Sequence, residues 1–219
     1  ASNNTAVGRD TLFANTTGSS NTAVGKGSMA LHTTGSNNTG IGKDSLGANT
    51  TASNNTAVGR SALVTNTTGT SNAAVGYLAL EKNTTANNNT AVGMSALKEN
   101  TTGTSNTALG SQALDANTTA NNNTAIGFKA LTVNTTGRSN SALGVNALGS
   151  TTTGVNNVAV GLASLYTNTT GRDNTAVGLD ALAYSTTGED NTALGYGAGD
   201  NITTGSNNTV IGNAADASS

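Results

Sequence analysis

A glycine recurs every 17 residues along this chain, at Gly8, Gly25, Gly42, Gly59 and onward to Gly212, with no residue inserted or deleted between copies. Four residues before each of these stands an asparagine: Asn4, Asn21, Asn38, Asn55 and so on to Asn208. One residue before stands Val, Ile or Leu, as at Val7, Val24, Ile41 and Val58. Surface loops accept insertions at little cost, so a loop-rich repeat would have drifted in length. Constant length over thirteen copies is expected where each residue stacks on its counterpart one coil away, as in a parallel β-solenoid. An insertion there would break every ladder at once.

Other columns are nearly as regular. Leucine follows the glycine by four residues at Leu12, Leu46, Leu63, Leu80 and later copies, with Met29 in the same slot. A Thr-Thr pair, first at Thr16 and Thr17, follows each of the first twelve glycines. Alanine stands two before the glycine in almost every copy. Charged residues such as Arg9, Asp10, Glu81, Lys82 and Arg172 collect in a few other columns, which must face water.

Composition agrees with a repeat and not with an ordinary globular domain. The 219 residues include 41 Thr, 33 Asn and 28 Gly, with 3% aromatic residues and no Pro, Cys or Trp. So polar a chain would suggest disorder if its apolar residues were scattered. They fall instead at fixed intervals. Thr, Asn and Gly are poor helix formers, and 17 residues are too few for the helix pairs of α-solenoids.

The expected coil has Asn-Thr-Ala-Val as a short strand and Gly as a tight corner. The Ala-Leu segment forms a bend or one helical turn, and Asn-Thr-Thr-Gly a second strand with its turn. Residues 1–219 thus read as one all-β array, a parallel solenoid of about thirteen coils and roughly 60 Å at the usual strand spacing. With the Val and Leu columns both inside, each coil buries two large apolar side chains. That is little against the entropy of ordering 17 residues. Association of chains is expected to add burial, with the Ala column as the face of close approach. Ala1 enters in mid-repeat, and Gly199 and Asp216 replace the core leucine, which should weaken the last two coils. The array therefore reads as a segment of a longer fibre or as a subunit that stacks.

The string from Asn55 to Gly69, Asn-Thr-Ala-Val-Gly followed by Ala-Leu and Asn-Thr-Thr-Gly, resembles the repeats of bacterial and phage tail-fibre-domain proteins. It is similar, more loosely, to the head repeats of trimeric autotransporter adhesins. The resemblance implies trimeric, β-rich extracellular fibres displayed on a cell surface or virion.

Chemical motifs are few. His32 is the only histidine and takes a slot usually held by Asn, so an outward or turn position is expected and not a catalytic or metal role. Acidic residues such as Asp44, Glu99 and Asp115 recur at no constant spacing and read as solvated surface charge. The glycines form no phosphate loop, and neutral Asn would have to replace the acidic ligands of calcium-binding β-rolls. No catalytic residue, cofactor or metal is expected. A formal charge of −2, with no Lys/Arg cluster evident, argues against nucleic acid and anionic membranes, and no run is apolar enough to insert in a bilayer. Sequons such as those at Asn15, Asn66 and Asn134 would allow glycosylation, although Asn and Thr are needed for turns and ladders. The expected partners are further copies of the chain, as a trimer or an end-to-end filament, together with a surface glycan or receptor. The leading functional expectation is a structural and adhesive fibre shaft. The alternative is an ice-binding solenoid that uses threonine in register, and an enzymatic β-helix comes last.

Overall fold

A computed structural model describes residues 2–216 and shows a parallel β-solenoid. Each coil contributes one three-residue strand, from β1 (Thr5–Val7) and β2 (Thr22–Val24) to β13 (Thr209–Ile211). The thirteen strands form a single sheet in chain order, every neighbour parallel. Like lies over like: Thr5, Ala6 and Val7 pair with Thr22, Ala23 and Val24, and Val24 pairs in turn with Ile41. Twelve such steps make about twelve full turns.

One expectation about the coil is corrected and another is narrowed. Asn-Thr-Thr-Gly is a pair of bends and not a second strand, and the Ala-Leu segment is a turn with no helix. The chain closes its coil with left-handed backbone. Three residues per coil have φ near +50° to +60°, for example Asn54, Ser61 and Leu63. Two of these columns are rich in Asn, Asp and Ser, which tolerate that region. The third is the leucine column itself, with φ of 50° at Leu46 and 51° at Leu97. A left-handed leucine costs about 1–2 kcal/mol. Here the conformation turns the side chain inward at a corner, where Leu46 through Leu182 are fully buried, so burial offsets the strain.

The second correction concerns the strand faces. In Thr-Ala-Val the middle alanine points in, fully buried at Ala23, Ala57 and Ala91, while Thr and Val point out. The Val column is therefore not core, and the Ala column is not a face for partners. A 17-residue coil encloses too narrow a space for a second large side chain beside leucine. Its interior holds one Leu, two small residues and, in most coils, two Asn. Coil volume is balanced locally. Met29 is longer than leucine, and the alanine beside it is replaced by Gly40, where a Cβ would lie 3.0 Å from the Met29 Cε. At the far end Gly199 lacks the leucine side chain, and Ile202, in an asparagine slot, fills the space. A Cβ on Gly199 would lie 3.3 Å from the Ile202 Cδ1. The last coils are thus less weakened than the loss of leucine implies. Asp216, in the next leucine slot, is exposed and accepts from the Asn201 amide. Ala1 lies outside the described residues.

The glycine column is held by close approach as well as conformation. Gly127 has φ of 137°, and a Cβ there would fall 2.4 Å from the Gly144 carbonyl oxygen.

Candidate functional site

Two asparagine columns run through the interior and take the place of a larger apolar core. In the first, Asn4, Asn21, Asn38, Asn55 and their successors stack without a break. The Asn38 backbone N–H donates to Asn21 Oδ1 at 2.9 Å, and its own Nδ2 donates to the Ala52 carbonyl at 2.9 Å. The same bonds repeat at Asn55 and Asn72. Each buried amide is satisfied, as burial demands. In the second column, seven residues after the glycine, each Nδ2 from Asn66 to Asn134 donates to the preceding coil's Oδ1, as Asn83 does to Asn66 at 2.8 Å.

Breaks in the second column leave orphans. Thr151 and Ser185 replace Asn, and Asn134 Oδ1 and Asn168 Oδ1 are buried without a partner. His32 is a further break, and Asn15 Oδ1 beside it is likewise unpartnered. Contrary to expectation, His32 is fully buried and points inward. Its Nε2 donates to the Gly35 carbonyl at 2.8 Å, and its Nδ1 accepts from the Asn49 amide at 2.9 Å. Burial holds its pKa below the usual value, opposed by the bond to Gly35. The interior role of this column also bears on glycosylation, since Asn66 and Asn134 are fully buried and donate their Nδ2 within the ladder.

The surface is ordered into rows. The Val/Ile/Leu row before the glycine faces outward along the rod, with Val7 57%, Leu109 47% and Ile211 67% exposed. The row after the glycine changes character part-way. It carries Arg9, Lys26, Lys43 and Arg60 in the first four coils, then Tyr77, Met94, Ser111, Phe128, Val145, Leu162, Leu179 and Tyr196. Stacking thus gathers four cations that lie far apart in sequence, a cluster hidden from a linear reading. Asp10 and Asp44 pair with Arg9 and Lys43, and Arg60 lies over the Tyr77 ring at 5.6 Å.

The Thr-Thr pair divides its work. The first hydroxyl is spent along the rod, as Thr33 Oγ1 donates to the Thr50 carbonyl at 2.9 Å. The second row, from Thr17 and Thr34 to Thr204, is exposed throughout. Both threonines face outward, because the segment is bent and does not alternate like a strand. Away from that row, Lys82 and Lys98 both reach Glu99, and Arg172 pairs with Glu189. The hydrogen bond from Lys82 is the main cause that holds the Glu99 carboxyl below its usual range, while burial pushes Asp115 up. Among the described residues there is no cavity and no group of three or more potential metal-ligating side chains. No helix is long and apolar enough to cross a membrane.

No known family model matches this chain, and no curated protein matches it in sequence.

Proposed function

We propose that this chain is the shaft of a structural and adhesive extracellular fibre, in which copies associate and outward residues meet a surface glycan or receptor. One observation carries the reading: an unbroken apolar row on the outer sheet face of an in-register solenoid, from Val7 to Ile211. Exposed apolar surface of that extent marks an interaction face. The sequence resemblance to tail-fibre and adhesin repeats points the same way and favours a trimer, with end-to-end stacking as the other mode. Electron microscopy combined with sedimentation tests the proposal. Elongated particles heavier than one chain are expected, and compact monomeric particles would remove it.

Ice binding is a second reading, favoured by the exposed row of twelve threonines in register from Thr17 to Thr204. Thermal hysteresis and inhibition of ice recrystallisation are its test, and absence of both dismisses it.

A further inference from the structure

The outward rows on either side of the glycine column are both apolar, Ser111 apart, only from the fifth coil to the twelfth, between Val75 and Tyr196. In that stretch Tyr77, Met94, Leu109, Phe128 and Leu162 leave 44–51% of their surface in water. Together the two rows expose on the order of 1,000 Å² of apolar area, above the few hundred Å² of a typical monomer's largest patch. It is comparable to the ~800 Å² that each partner contributes to a standard interface. In the first four coils the same band is half cationic.

We infer that coils five to twelve form a lateral contact with a second copy of this chain, and that the four basic coils stay outside it. The inference rests on the self-associating reading above and assigns its surface. A second copy is the partner that fits. Its rows have the same axial repeat, so side chains mesh coil after coil over eight steps, whereas a partner of another repeat drifts out of register within a few. The change from Arg60 to Tyr77 marks the edge of the contact. Continuing it onto Lys26 and Lys43 would desolvate cations against apolar side chains or against like charge, at a cost.

The chain has no cysteine, so single thiols report cleanly on this contact. Ser111 sits within the band and Lys26 outside it, both on the row after the glycine. With a long flexible bismaleimide, Ser111→Cys should link copies into dimers or larger species, and Lys26→Cys should not. By sedimentation, Leu162→Lys should weaken association at least tenfold and Lys26→Glu should leave it unchanged, with circular dichroism confirming that each variant is folded. If the wild type associates but Ser111→Cys gives no link, or Leu162→Lys associates like the wild type, the contact lies elsewhere. The inference is then overturned while the shaft reading stands. A wild-type chain that stays a folded monomer at high concentration removes both.

Discussion

The Asn49 side-chain amide donates to Nδ1 of His32 at 2.9 Å, while His32 Nε2 is bonded to the Gly35 carbonyl. The imidazole therefore has one acceptor face and one donor face, both occupied, and the neutral ring fits where a proton on Nδ1 would oppose a donor. Its pKa is held low in the folded state by burial. The unfolded chain takes up a proton near pH 6.5, and the folded chain resists. Stability should be complete above that pH and should fall as the pH drops below it, down to the lowered folded value. Melting wild type and His32→Asn at pH 7.5 and pH 5 checks this. The variant should lose most of the difference between the two pH values. An equal pH response in both proteins would contradict the assignment.

The orphaned Asn134 Oδ1 lies one coil from Thr151. Asparagine fills that slot in most coils, and Thr151→Asn should supply the missing Nδ2 donor to Asn134 and accept from Asn168 in turn. Satisfying a buried acceptor should add about 1 kcal/mol. Chemical denaturation should show a higher midpoint with an unchanged slope. Ser185→Asn should act in the same direction through Asn168 Oδ1.

Leu97 and Val92 are both large and apolar, and they lie on opposite sides of the wall. Leu97→Ala should cost about 2–5 kcal/mol, because the cavity cannot collapse against stacked coils. Val92→Thr should change the stability of the isolated chain by less than about 0.5 kcal/mol, as an outward substitution does. Denaturant titration of the two variants at low concentration separates them, and similar losses would mean the strand faces are misassigned.

Gly127→Ala should be among the most damaging single substitutions. Its Cβ would meet the Gly144 carbonyl at 2.4 Å, and a backbone at φ of 137° strains any L side chain. A loss of more than about 3 kcal/mol, read as a collapsed melting temperature or failure to fold, is expected.

Much of the architecture was legible in the repeat. Constant spacing of Gly8, Gly25 and Gly42 implies like-over-like stacking, and the pairing of Val7, Val24 and Ile41 is that stacking. The strand falls within the expected Asn-Thr-Ala-Val and occupies its last three residues. The left-handed positions had a readable signal in their Asn, Asp and Ser content, but leucine at such a position has none. His32 is expected outside because it takes an asparagine slot, yet that slot belongs to a column that lines the interior, with Asn49 through Asn134 fully buried.

The chain's own order of residues thus determined the period, the register and the columns, since a ladder accepts only a constant spacing. Only the tertiary structure decided which way each column faces. A three-residue strand offers Ala or Val to the interior with equal regularity, and size alone favours Val. The narrow coil, bent by left-handed leucines, admits alanine and turns valine out. The apolar row and the basic row beside it exist as surfaces only once residues 17 apart are brought to about 4.8 Å.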